Sequence, residues 1–276
     1  MSVLAVIPAR GASQGIPRKN LVRVAGRPLV TWSIEAAIQA ASIDRVIVST
    51  DDAEIAEVSA AAGAEVPFER PADLAGHRVT DLPVFQHALA WLDRADGYQP
   101  ELVVHLRPTS PAREPGLVDA AVALLRGDPH ATSVRSVSPA PVTPWKMWEI
   151  DHDGLLQPLL GTLDDEAFNL PRQALPPVWL HDGVIDVIRP HVILGGSMTG
   201  SRILAFETPS EGVDIDGPRD LARAEAALAR LRPDRQASNS PHLSPAAPPA
   251  DVPVRSMVKR TLPPSDPEDR RHPLRS

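Results

Sequence analysis

The sequence predicts an α/β protein built on a doubly wound, mostly parallel sheet. Short β-branched runs alternate with segments whose apolar residues recur at helical spacing over the first half of the chain. The first run, residues 2–9, is apolar without a polar face, as a strand covered on both sides must be. Loops rich in glycine, proline and arginine follow several strand ends, where such a sheet receives its ligand.

Each element has its own signal. Residues 29–41 carry apolar groups at helical spacing, and 45–50 (RVIVST) read as a second strand. Residues 52–62 form a helix whose first turn holds acids that suit its dipole. A third short strand is expected near 64–67, a helix over 81–92, a strand at 101–106, a helix over 115–125 and a strand at 132–137. Between 138 and 182 the rhythm breaks, with Trp145, Trp148 and Trp179 among prolines and a hairpin signal at Asp153-Gly154. This segment is expected to be an inserted β-rich lobe. Strands at 183–188 and 202–206 and a helix from Pro218 close the domain, which spans 1–232.

Composition narrows the function. The 276 residues include 28 Lys+Arg and 35 Asp+Glu, a formal net charge of -7, and no cysteine. Disulfide frameworks, zinc ribbons and thiol catalysis are therefore excluded. An acidic balance speaks against a general nucleic-acid binder, which needs cations to displace counterions, but is compatible with one nucleotide. The opening apolar run is too short to span a bilayer and no basic segment precedes it, so the expectation is a cytoplasmic protein without a membrane partner. Residues 233–276 hold 10 of the 31 prolines and no Phe, Trp or Tyr, so disorder is expected there, since little apolar burial opposes the entropy of ordering.

Three loops carry candidate chemistry. The first, residues 7–20 (IPARGASQGIPRKN), has glycines that turn backbone N–H groups toward an anion, with Arg10, Arg18 and Lys19 as cations for a polyphosphate. Its spacing matches neither the P-loop nor the dinucleotide fingerprint, and a plain strand-to-helix turn is the competing reading. Arg107-Pro-Thr-Ser110 follows a strand; Arg107 can pair with a carboxylate while Thr109 and Ser110 bond hydroxyls, or the hydroxyls cap the next helix. Asp214 and Asp216 alternate on an extended segment, so both face one side, as two oxygen ligands for a hard cation would; Asp216 before Gly217-Pro218 also reads as a helix N-cap.

Together with VIVSTDD, EVPFERPADLA, LRPTSPAR, LPRQALPP and VDIDGPRDLARAE, in that order over residues 3–231, the first loop resembles the acylneuraminate cytidylyltransferase family. The resemblance implies a Rossmann-like fold that dimerises through an extension. It also implies a reaction in which CTP and the anomeric hydroxyl of a sugar acid give a CMP-sugar and pyrophosphate with Mg²⁺. By position it places Arg10, Gly11, Ser13, Lys19, Asn20 and Arg70 on the nucleotide, with Arg10, Lys19 and Asp216 as the catalytic set. Arg107, Thr109, Ser110, Arg172 and Gln173 would meet the acceptor, and Asp214 and Asp216 the metal. The chain departs from the family pattern at Gln14, where lysine is usual, at His77, and at Asp182, where asparagine is common. The competing functions are a sugar-1-phosphate nucleotidyltransferase using another NTP and a weakened nucleotide-binding homologue.

Overall fold

The computed structural model describes residues 2–160, 166–208 and 213–231. The tail expected at 233–276 lies outside the described residues. The chain runs β1 (Val3–Pro8), a small ribbon of β2 (Arg23–Val24) and β3 (Arg27–Pro28), α1 (Leu29–Gln39), β4 (Arg45–Ser49), α2 (Ala53–Ala61) and α3 (Asp81–Asp96). It continues through β5 (Leu102–His105), α4 (Leu117–Gly127), β6 (Ser133–Pro139), β7 (Trp148–Ile150), β8 (Leu156–Pro158), β9 (Trp179–Ile188), α5 (Pro190–Leu194), β10 (Ile203–Glu207) and α6 (Pro218–Leu231).

Six strands form the central sheet in the order β10-β6-β9-β5-β1-β4. The two-residue period of β1 explains how the layers assemble. Val3, Ala5 and Ile7 pack on one face with Val30 and Ile34 of α1, Ile55 of α2 and Leu125 of α4. Leu4 and Val6 point to the other face, against Phe85 and Leu92 of α3 and Ile193 of α5. Burial on both faces is why this strand reads as a continuous apolar run.

Within the six-stranded sheet all pairings are parallel except those of β9, which runs antiparallel to both β5 and β6. After β6 the chain makes the lobe and comes back along β6 from the end at which it left, so no crossover helix is needed and the two strands run antiparallel. Pairing of β9 with β6 extends through His181, Leu180 and Trp179, so the sheet reaches into the segment read as lobe.

Two expectations need correction. Residues 64–67 make no strand: Glu65 forms an isolated bridge to Ile47 and Glu69 another to Thr50, and Pro67 between them has no N–H for a continuous ladder. The lobe is also less β-rich than expected. Apart from the ends of β6 and β9 that run into it, its strands among the described residues are β7 and β8, a hairpin turning at Gly154, and short 3₁₀ turns such as Pro144–Lys146 and Arg172–Ala174 punctuate the rest. Prolines through this stretch remove the donors that further strands would need.

Helix α2 starts where the sequence places it, because the Asp52 carboxylate accepts from the N–H groups of Glu54 and Ile55, each at 3.0 Å. Burial alone would raise the Asp52 pKa, but the Ile55 N–H and the Arg18 guanidinium at 2.9 Å hold it below the usual carboxylate range. Its contribution is therefore complete above the ordinary aspartate pKa and fades as pH falls through the lower folded value. Asp52→Ala should cost about 1 kcal/mol at neutral pH. Urea unfolding should show that gap, and show it narrowing in acid.

Candidate active site

A cleft of about 460 Å³ opens at the carboxyl ends of β1, β4 and β5 and is lined by Arg10, Lys19, Arg70, Arg107, Thr109 and Asp216, among others. Ser13, Gln14, Asn20 and His77 also reach it. A slightly larger depression, about 510 Å³, lies beside α1 and α6, but its charged lining is Glu35, Glu114 and a single arginine, a poor match for a polyphosphate. Four cations in one cleft at the strand ends mark the anion site.

The first loop is fixed by its own polar groups. Gly11 N–H donates to Asp51 at 2.9 Å, and the Asn20 amide donates to the Arg10 carbonyl at 2.9 Å. Lys19 Nζ donates to the carbonyl of Ile215 at 2.5 Å and lies 3.4 Å from an Asp216 carboxylate oxygen. Gly15 sits so close to the 213–217 segment that a Cβ there would stand 2.1 Å from the Asp216 carbonyl oxygen. The loop and the distant Asp216 segment are thus packed as one wall. Arg18, in a left-handed conformation, turns away to Asp52 and Glu54 and does not line the cleft.

Arg70 is buried rather than an exposed loop charge. Its Nε donates to Ser49 Oγ at 3.1 Å and a terminal nitrogen donates to the Ser49 carbonyl, so the guanidinium is pinned to the end of β4. Burial lowers its pKa, opposed by the charges of Asp51 and Asp81.

Arg107 follows β5 and donates to Asp186 at 2.9 Å, with Asp81 at 3.6 Å. Thr109 accepts from Ile215 N–H at 2.9 Å through its carbonyl, and Ser110 is buried beneath the cleft, beside Gly183. Arg113, the last residue of the same motif, was not singled out in the sequence. It is buried and donates to Val184 O, Ser33 Oγ and Arg107 O at 2.8 to 2.9 Å, which ties the loop to β9 and α1. Burial, reinforced by Arg107, pulls its pKa down to about 9.

Asp214 and Asp216 are exposed while Val213 and Ile215, which alternate with them, are buried, so the carboxylates do share a face. They line different hollows, Asp216 the cation cleft and Asp214 an adjoining one of about 420 Å³ that also contains Arg107, His181 and Arg223. Asp216 does not serve as the helix cap; the Asp220 carboxylate accepts from the Asp216 and Gly217 N–H groups at 3.1 and 2.9 Å. Its own side chain is 84% exposed. No three acidic or histidine side chains converge among the described residues, so a divalent cation here would draw part of its coordination from ligand phosphates and water, the usual manner of Mg²⁺. The donor set fits that ion.

Arg172 and Gln173 are not brought to this cleft. They line a separate hollow of the lobe, where Arg172 donates to the carbonyls of Ala140 and Pro141 at 2.7 and 3.0 Å.

A doubly wound sheet with a cation cleft at its strand ends and an exposed aspartate across it defines a nucleotide-handling α/β protein. The comparisons are more particular. A family model described as cytidylyltransferase matches residues 4–126. The CMP-N,N'-diacetyllegionaminic acid synthase of Legionella pneumophila is 35% identical over 236 residues, covering 82% of this chain and 95% of that protein. A pseudaminic acid cytidylyltransferase of Campylobacter jejuni is 43% identical over 89 residues, 32% of this chain and 38% of that one. Among solved structures, a CMP:2-keto-3-deoxy-manno-octonic acid synthetase complexed with CTP superposes with a TM-score of 0.61 at 20% identity, over 83% of this chain and 99% of that one. The chain belongs to the acylneuraminate-type cytidylyltransferase family.

Gly15 is the tightest contact in the site. Gly15→Ala should force the loop and the Asp216 segment apart and weaken nucleotide binding by at least about tenfold, the scale of one lost positioning contact. Calorimetric titration with CTP measures it, and unchanged affinity would show that the wall yields without consequence.

Proposed function

We propose that the protein transfers CMP from CTP to the anomeric hydroxyl of a sialic-acid-like nine-carbon sugar acid, releasing pyrophosphate. The observation that carries this reading is the shared cleft of Arg10, Lys19, Arg70 and Asp216, in a chain aligned with nearly the whole length of a CMP-sugar-acid synthase. The anomeric oxygen attacks the α-phosphorus as the bond to the pyrophosphate oxygen breaks, so catalysis rests on positioning and neutralisation of charge. Arg10 and Lys19 would neutralise the leaving pyrophosphate. Lys19 is already held by Ile215 and Asp216, so it needs little reorganisation to do so. Arg70, pinned at the end of β4, and Ser13 and Asn20 would hold the nucleotide. Asp214 and Asp216 would hold Mg²⁺, whose chemistry there would be to polarise the α-phosphate and acidify the attacking hydroxyl. Thr109 lines the cleft and Arg107 borders both it and the hollow of Asp214, which supports putting the acceptor in that hollow.

The lobe supports a homodimer. Trp148, Ile150, Leu155, Leu156 and Trp179 are large apolar side chains left exposed in one segment, more than a monomer surface ordinarily gathers. In such a dimer Arg172 and Gln173 would face the partner's acceptor hollow.

Incubation with CTP, Mg²⁺ and a panel of N,N'-diacetyllegionaminic, pseudaminic, N-acylneuraminic and 3-deoxy-manno-octulosonic acids should yield pyrophosphate with a nine-carbon acid, and release only with sugar-1-phosphates or another NTP would refute the reading. Asp216→Asn should lower turnover by at least about a hundredfold with little change in melting, comparable to losing one preorganised electrostatic contact. A near-normal rate would remove Asp216 from the catalytic set. Sedimentation at micromolar concentration should give a dimer; a fully active monomer would overturn the lobe's assignment.

A further inference from the structure

A row of charge crosses the middle of the sheet, and the sequence motifs do not include it. Asp186 on the antiparallel strand β9 stands directly opposite His105 of β5 on one side and Arg135 of β6 on the other. Its side chain is only 2% exposed. One carboxylate oxygen accepts from Arg107 Nη1 at 2.9 Å; the other accepts from Arg135 Nε at 2.7 Å and lies 3.6 Å from His181 Nε2. His105 fills the space behind, fully buried, with Nδ1 3.7 Å from Asp186 and Nε2 3.8 Å from Asp81, and with no hydrogen-bond partner for either nitrogen among the described residues.

Charge of this kind is costly inside a sheet unless it does something there. A buried carboxylate loses several kcal/mol of hydration, and packing alone would be served as well by an apolar residue. Burial would raise the Asp186 pKa, but the nearby His181 and the bonds from Arg107 and Arg135 overcome it and hold the carboxyl well below the usual carboxylate range. Burial and then Arg107 push the His105 pKa down to about 3, so this imidazole stays neutral and acts as a spacer, not as a counterion. The permanent cations that answer Asp186 are therefore Arg107 and Arg135, with the imidazole of His181 3.6 Å away.

Only Arg107 of that pair reaches a cleft among those described here, and it borders both the nucleotide cleft and the hollow of Asp214. Its side chain is 21% exposed, its carbonyl is clamped by Arg113, and its guanidinium is gripped from beneath by Asp186 and from the cleft side by Asp81. We infer that Asp186 is a positioning residue that acts through Arg107, fixing the guanidinium at the junction of the two hollows so that its remaining N–H groups meet the carboxylate or hydroxyls of the acceptor. This rests on the cytidylyltransferase reading above and adds to it the residue that sets acceptor affinity. The alternative is that Asp186 only stabilises the sheet.

Kinetics with whichever acid of the panel turns over separate the two. In Asp186→Asn the KM for the acceptor should rise on the order of tenfold, while the KM for CTP stays within about twofold. Arg107→Met should show the same split. Because the carboxylate works through the guanidinium, adding Asp186→Asn to Arg107→Met should cost no more than about a further twofold in kcat/KM for the acceptor. A further tenfold loss in that double variant, or an Asp186→Asn protein that melts lower yet keeps its acceptor KM, would overturn the inference. If Asp186→Asn alone fails to fold, the comparison of the double variant with Arg107→Met still decides, since the double leaves no unpaired Arg107 in the sheet. Absence of turnover with every acid in the unmutated protein would sink the cytidylyltransferase reading and this inference with it. Turnover with the unmutated protein and equal KM values in all variants would sink this inference alone.

Discussion

Mutual repulsion among cations gathered around one anion site is the constraint on which the rest of the site depends. Two unit charges about 4 Å apart repel by about 4 kcal/mol at an effective dielectric near 20. Without a bound polyphosphate, each cation must be answered by the protein. Lys19 is answered by the Ile215 carbonyl and Asp216, Arg70 by Ser49, Arg10 by the carbonyl of Gly76 and Arg107 by Asp186. These partners come from four different parts of the chain, so the fold and the charge arrangement are one problem. The partners also differ in kind. Arg10, Lys19 and Arg70 lean mainly on neutral oxygens or an exposed carboxylate and keep positive charge for a ligand, whereas Arg107 is matched by a buried anion.

The antiparallel strand β9 makes that difference possible. Running back from the lobe, it sets Asp182 and Asp186 among strands whose carboxyl ends carry the cleft. Gly183, at φ 71°, sits where the β6 pairing shifts register, a conformation a side chain would strain. The kink turns Asp182 inward, where its carboxylate accepts from Ser136, from Thr208 and from the Val184 N–H. Asp182, a departure from the family's usual asparagine, is thus fully used by the strand around it. Gln14 and His77 do line the cleft, where the changed charge would face a bound nucleotide.

What the sequence determined alone was whatever depends on neighbours a few residues away. Strands such as 2–9 and 45–50 were legible because a strand buried on both faces must be continuously apolar, and α2 because Asp52 caps N–H groups two and three residues on. The loops with Lys19, Arg107 and Asp216 were legible because their motifs are contiguous. Residues 64–67 form no strand because Pro67 lacks the N–H that a continuous ladder needs. What only the tertiary structure decided was partnership across the chain: Lys19 with Asp216, Arg113 with Ser33 and Val184, Asp186 with Arg107 and Arg135, and the direction of β9. Those residues stand dozens to nearly two hundred positions apart, and a lone Asp in an apolar strand looks the same in sequence whether it meets water or two guanidinium groups. Burial creates the need for a partner, and burial exists only once the sheet has closed.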